Sequence, residues 1–275
     1  MHAVAAAART RTIPALWRDA VVQERDCPAY LVEHGDHWHE VSWSEAAKRV
    51  EELANGLLAL GVRKGDAFAI LGNTKLEWSL FDFALASVGA IGAPIYMNSS
   101  AKDTRYVVEH SEAVAALVED DAQRTKLDGL ELQHVITYAD LDDLEARGRV
   151  FALEHPTALD EAVRAISEDD LFTYIYTSGT TGPPKACMIT HRNYYEMVAV
   201  VDGLDDFVRP GDMMLLYLPL AHNFGRLMHL AGPYCGFTVA HLDDPMRAAE
   251  ALPKVRPTVF PSVPRVYEKV HGAVI

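Results

Sequence analysis

From Ser42 onward, apolar and polar positions alternate in patterns that predict helices and strands. Ala46, Val50, Leu53, Ala54, Leu57 and Leu58 recur at helical spacing until Gly61 supplies a stop, and Ser42-Trp43-Ser44-Glu45 has the form of a capping box. Gly65-Asp66 turns into the short apolar run Ala67 to Leu71, which Gly72-Asn73 closes, the pattern of a buried strand. Lys75 to Ala90 reads as a helix and Ala93 to Met97 as a strand. Asn98-Ser99-Ser100 can cap a helix running through His110, and Val114 to Val118 gives a further strand. Strand and helix in alternation predict a parallel, doubly wound sheet.

From Asp120 to Asp170 the signal weakens to one plausible strand, His134 to Tyr138, among acidic, helix-compatible pieces. The clusters Glu119-Asp120-Asp121, Asp140 to Glu145 and Glu168-Asp169-Asp170 read as solvated faces or helix caps, with a metal site as the less economical reading. Alternation then resumes: a strand at Leu171 to Tyr176, a helix from Arg192 to Leu204, a strand at Met213 to Leu218 and a helix from Arg226 to Cys235. A strand at Phe237 to Ala240, a helix from Met246 to Val255, a strand at Thr258 to Phe260 and the start of a helix at Pro264 complete the series. The expected fold class is α/β, with doubly wound, mostly parallel sheets and flanking helices. The expected division is a first α/β portion over about 1–168 and a second over about 169–275.

Composition narrows the function classes. The 275 residues are 49% hydrophobic, enough for a large core, and 39 acidic against 25 basic residues give a formal charge of -14. That balance argues against non-specific nucleic-acid binding and weakly against anionic membranes. Three cysteines, Cys27, Cys187 and Cys235, are too few and too irregularly spaced for a metal site or a disulfide framework. They suggest a reducing compartment, and a nucleophilic Cys187 lacks an evident base among its apolar neighbours. The most apolar candidate span, Leu80 to Met97, contains Asp82 and is broken by Gly89, Gly92 and Pro94. No secretory signal is legible at the N-terminus, so a cytoplasmic protein without a transmembrane segment is expected, with peripheral membrane contact left open.

The densest chemistry lies in Tyr176-Thr177-Ser178-Gly179-Thr180-Thr181-Gly182-Pro183-Pro184-Lys185, directly behind a strand. Gly179 and Gly182 let backbone N–H groups approach a polyanion, and the hydroxyls of Thr177, Ser178, Thr180 and Thr181 can donate to phosphate oxygens or ligate a hard cation. Lys185 adds a positive charge, and Pro183-Pro184 hold the exit extended. Ordinary turn chemistry would not call for the lysine. The P-loop pattern fails on spacing, because Gly182 is followed by Pro183 and Lys185 by Ala186. A second constellation, Leu218 to Arg226, puts His222, Phe224 and Arg226 at another strand end, where His222 could cap the turn or face a ligand. In a parallel sheet both loops would open on one rim.

These residues resemble the acyl-adenylate-forming ligases, also called AMP-dependent synthetases. Tyr176 to Lys185 is similar to their signature phosphate loop at every position, and Leu218 to Arg226 resembles the segment that follows it in the long-chain fatty acid–CoA ligase branch. Val259 to Val270 is similar to a further stretch of that branch, and the Gly61 to Leu71 and Ala90 to Pro94 segments fall in the expected order. The resemblance implies that residues 1–275 form a partial N-terminal AMP-binding (adenylation) domain. It implies a reaction of fatty acid metabolism in two halves: a fatty carboxylate and ATP give acyl-AMP and pyrophosphate, and coenzyme A then displaces AMP.

By the same resemblance Ser178, Gly179, Thr180, Thr181, Gly182 and Lys185 would hold the triphosphate, and Thr177 would face Mg²⁺. His222 would sit beside the adenylate and the reacting carboxylate as the catalytic residue, while Phe224, Gly225 and Arg226 would line the acyl entrance. The family's aromatic-Gly-x-Thr-Glu segment, its ribose-binding aspartate and its C-terminal domain with a catalytic lysine have no counterpart in these residues. The sequence is therefore expected to be the N-terminal half of such an enzyme, with weak or no turnover alone. A ligase for medium-chain or aromatic acids, and a non-catalytic nucleotide-binding module, are the alternatives.

Overall fold

The computed structural model describes residues 10–35, 37–177, 183–203 and 208–274. Ten strands alternate with helices along them: β1 (Tyr30–His34), β2 (His37–Val41), β3 (Ala67–Gly72), β4 (Ile91–Tyr96), β5 (Ala113–Val118), β6 (His134–Thr137), β7 (Leu171–Thr177), β8 (Lys185–Thr190), β9 (Met213–Leu216) and β10 (Thr238–His241). The helices are α1 (Ile13–Val21), α2 (Trp43–Ala59), α3 (Leu76–Val88), α4 (Ala101–His110), the single turn α5 (Asp121–Arg124), α6 (Leu141–Glu154), α7 (Ala158–Arg164), α8 (His191–Asp202), α9 (Asn223–Cys235), α10 (Ala248–Val255) and α11 (Pro264–Val274).

Local signals place many of the boundaries. Ser42 Oγ accepts the Glu45 amide at 3.1 Å to start α2, and all six apolar positions of its periodic stripe are buried. Ser100 Oγ accepts the Asp103 amide at 3.1 Å to start α4. Gly89 ends α3 with φ at 73°, a left-handed turn that glycine adopts without a Cβ clash. Other elements depart from the expectation. The run at Thr258 contributes one parallel bridge, Val259 to Met214, rather than a strand. β9 stops at Leu216, and α9 begins at Asn223, three residues ahead of the expected start. Helix α1, the β1–β2 hairpin and β8 lie outside the expected elements, although α1 carries a local signal: Thr12 Oγ1 accepts the Ala15 amide at 3.3 Å, Pro14 stands in the first turn, and Ile13, Leu16, Trp17 and Ala20 recur at helical spacing on its buried face.

The strands form a six-stranded sheet, β6-β5-β3-β4-β7-β8, and a four-stranded sheet, β2-β1-β10-β9. Pairing is parallel except for β1–β2 and β7–β8, which are antiparallel. Both sheets mix strands from before and after residue 168: β7 and β8 extend the sheet of β3 to β6, while β1 and β2 pair onto β10.

Period-two alternation splits β3 between two cores. Ala67, Ala69 and Leu71 pack with Val107 and Val108 of α4, whereas Phe68 and Ile70 join the main core. That main core also holds Trp17 of α1, Phe83 of α3, Leu230 of α9, and Tyr30, Leu215 and Val239 of the smaller sheet. Helices α1, α3 and α9 thus share a core with both sheets. No helix among the described residues is long and apolar enough to cross a membrane.

Candidate nucleotide-binding cleft

At the carboxyl rim of the larger sheet, β7 ends on Thr177 and β8 begins on Lys185, and the two are register partners across the antiparallel pair. The hydroxyl-rich loop is therefore the connection of a hairpin, and both of its strand ends are exposed. Ser178, Gly179, Thr180, Thr181 and Gly182 lie outside the described residues. β7 is fixed to its neighbour from within, since the fully buried Thr173 Oγ1 donates to Gly92 O at 2.7 Å.

His222 reaches the same rim from the smaller sheet. β9 leads into a turn whose Leu218 carbonyl accepts from the buried Thr74 Oγ1 at 2.9 Å, tying it to the loop before α3. The His222 amide closes the turn on Pro219 O at 2.9 Å, and the side chain caps α9: Nδ1 accepts from the Phe224 amide at 3.2 Å. A neutral imidazole that accepts at Nδ1 carries its proton on Nε2, so exposed His222 offers an Nε2–H donor at the positive end of a helix. Asn223 Oδ1 accepts from the Tyr194 hydroxyl at 2.8 Å, which orients the next residue.

Thr177, Pro184, His222 and Asn223 line one cleft of about 590 Å³, together with Tyr96, Ser99 and Asp103. Its lining is mainly apolar, with Pro94, Ile95, Val107 and Ile175 among its residues, while the hydroxyls of Tyr96, Ser99 and Thr177 and the N-terminus of α9 give it a polar edge suited to an anionic group. Of the site residues drawn from the sequence, Thr177 and His222 line it directly, and Lys185 stands opposite Thr177 at the hairpin mouth. Asn223, Tyr96, Ser99 and Asp103 were missed. Ser100-Ala101-Lys102-Asp103 reads locally only as a helix cap.

The rest of the second constellation turns inward. A Cβ on Gly225 would lie 2.4 Å from Pro219 O, so this glycine lets the helix start against the turn's backbone. Phe224 is half-buried against the main core. Arg226 is fully buried, paired with Asp82 of α3, and its guanidinium sits 4.8 Å from the centre of the Phe172 ring. Gly92 leaves room for it, since a Cβ there would stand 2.9 Å from Arg226 Nη2. In the described structure Gly225 and Arg226 are buried where α9 packs against α3 and the larger sheet.

Around that pair the interior is polar. Burial lifts the Asp82 carboxyl to about 6 against the opposing pull of Arg226. Burial first, and then His241 and Arg226, hold His229 well below the usual imidazole range. Burial alone pushes His241 down to about 3, with Nε2 2.7 Å from Ser79 Oγ.

Among the described residues no group of three or more His, Cys, Asp or Glu side chains is placed to hold a metal ion. Thr177 and Asp103 nonetheless put oxygen donors on the cleft wall. Such a sparse set suits a hard cation that keeps most of its water and is held chiefly by substrate phosphates.

Residues 16–273 match the sequence profile of the AMP-binding enzyme family. The long-chain-fatty-acid–CoA ligase FadD15 of Mycobacterium bovis is 37% identical over 263 residues, covering 90% of this chain and 43% of that protein. The long-chain-fatty-acid–CoA ligase ACSBG2 of Homo sapiens is 28% identical, covering 96% of this chain and 42% of that protein. The chain therefore spans about two fifths of the length of these relatives. Among solved structures, the N-terminal domain of FACL13 from Mycobacterium tuberculosis superposes with a TM-score of 0.77 at 22% identity, over 93% of this chain and 63% of that one. VinN superposes with a TM-score of 0.79 at 17% identity, over 97% of this chain and 64% of that one.

Proposed function

The chain belongs to the AMP-binding enzyme family, and on that footing we propose that it supplies the phosphate-gripping part of a site that activates a long-chain fatty acid with ATP. The observation that carries this reading is the convergence of Thr177, the hairpin mouth leading to Lys185, and His222 on one cleft at the strands' carboxyl rim. The long-chain assignment draws on the relatives, which are named for that activity. Three free cysteines are in keeping with reducing, cytoplasmic surroundings.

In the first half-reaction a carboxylate oxygen attacks the α-phosphorus of ATP, and the bond to the bridging oxygen of pyrophosphate breaks. In the second, the sulfur of coenzyme A attacks the acyl carbon, the thiol gives up its proton, and the bond to AMP breaks. Charge moves onto phosphate oxygens in both, so oriented donors are what the protein has to provide. Lys185, with Ser178, Gly179, Thr180, Thr181 and Gly182, holds the β- and γ-phosphates. Thr177 and Asp103 would face Mg²⁺, which supplies charge neutralisation when bound. His222, its proton held on Nε2 by the Phe224 amide, donates to an oxygen of the carboxylate or the α-phosphate.

Calorimetric titration with Mg·ATP tests the reading. Lys185→Ala is expected to weaken binding by roughly tenfold, since it removes a charge-assisted contact to phosphate. The unfolding midpoint should not move, because Lys185 is exposed. Equal affinity of the two proteins, or no binding by either, refutes the proposal.

A further inference from the structure

Helix α4 touches the phosphate hairpin on both of its strands, just below the mouth. Tyr106 donates its hydroxyl to Pro184 O at 2.9 Å, one residue before β8 begins. His110 Nδ1 lies 3.0 Å from the Tyr176 hydroxyl, one residue before β7 ends. Tyr106 and His110 are four residues apart and so share a helix face, with ring centres 5.3 Å apart. The His110 and Tyr176 rings also meet edge to face, at 5.7 Å and 79°.

The helix that makes these contacts is firmly held. Ser100 caps it, Val107 and Val108 are buried against the larger sheet, and Lys126 Nζ donates to Met97 O and Ser99 O at 2.9 and 2.8 Å, fixing the segment that enters it. An antiparallel pair is less constrained where its ladder hydrogen bonds give out, here at the loop end of β7 and β8. That is where Thr177 and Lys185 must hold their spacing to meet a polyphosphate.

We propose that Tyr106 and His110 are positioning residues for Thr177 and Lys185: they pin the mouth of the hairpin to α4 and pre-set it for the phosphates of ATP. The inference rests on the reading of the cleft as an ATP site. The two residues act through Pro184 and Tyr176 and touch no ligand. Pre-organising the mouth lowers the ordering cost of binding, so its loss falls on the phosphate contacts and spares the nucleoside.

The test compares Tyr106→Phe, His110→Leu and the conservative His110→Asn, which keeps a polar group near the position of Nδ1. Affinities for Mg·ATP and for adenosine are measured by calorimetry, stability by urea unfolding, and amide exchange at Thr177 and Lys185 by NMR or mass spectrometry. Tyr106→Phe and His110→Leu are each expected to weaken Mg·ATP roughly three- to tenfold, the worth of one hydrogen bond. Adenosine affinity and unfolding midpoint should hold, exchange at the mouth should quicken, and His110→Asn should restore most of the loss. Unchanged Mg·ATP affinity in both variants, or a parallel loss for ATP and adenosine, overturns the inference. If the unaltered protein fails to bind Mg·ATP, the proposed function falls, and exchange then decides alone: unchanged exchange in the variants overturns the pinning too, and faster exchange upholds it.

Discussion

Replacing Arg226 by methionine is expected to cost about 3–5 kcal/mol of stability, the usual penalty for stranding one member of a buried ion pair. Arg226 and Asp82 are 0% and 1% exposed, so neither charge can turn to water when its partner is removed. Methionine keeps an apolar stem beside Phe172 and deletes the guanidinium, leaving the Asp82 carboxyl to neutralise itself by taking up a proton. Burial already lifts that carboxyl from its ordinary 3.8 to about 6 with Arg226 in place, and without Arg226 it rises further. A carboxyl with a higher pKa folded than unfolded keeps, in the native state, a proton that the unfolded chain has released. Its contribution to stability is therefore lost as pH rises through the folded value.

The deficit of Arg226→Met should accordingly be smallest near about pH 5 and largest near about pH 8. The double variant Asp82→Asn/Arg226→Met buries no charge, so it should recover much of the loss and show little of that pH dependence. Urea unfolding of the four proteins of this cycle, followed by circular dichroism at three pH values, measures both quantities. A loss below about 1 kcal/mol at pH 8, or single effects that simply add in the double variant, would refute the reasoning. Normal stability with weakened fatty-acyl binding would instead return Arg226 to the acyl entrance.

Gly225→Ala is expected to destabilise by about 1–3 kcal/mol, because its Cβ would stand 2.4 Å from Pro219 O, a backbone atom that moves only with the turn bearing His222. Its unfolding midpoint checks this, and a variant as stable as the parent would show that the turn is packed differently. His241, held near 3 by burial, stays neutral in the folded protein while the unfolded chain protonates it below its ordinary 6.5. It therefore lowers stability as pH falls through that interval. His241→Asn should flatten the slope of unfolding free energy against pH by about 1.4 kcal/mol per pH unit, and an unaltered slope would mean that His241 is not buried as the neutral form.

What the sequence determined was local in origin. Capping serines, a periodic apolar stripe and short buried runs specify α2, β3, α3 and α4, because those signals act within a turn or two of the chain. The order of hydroxyls, glycines and a lysine from Tyr176 to Lys185 is where the sequence bases its expectation of phosphate binding. β8 was not legible as a strand: Lys185, Cys187 and Met188 are exposed, and its strand character comes from pairing with β7.

The tertiary structure decided which residues meet. The resemblance names Arg226 as a site residue, and what surrounds it is set by Asp82, 144 positions away in the chain and brought to it when α3 and α9 enter the same core. The cleft itself gathers Tyr96, Asp103, Thr177 and His222 from four separate segments. Parallel strands deliver their carboxyl ends to one rim, and a set of chemistry-bearing loops becomes one site only when the sheets that carry them pack together.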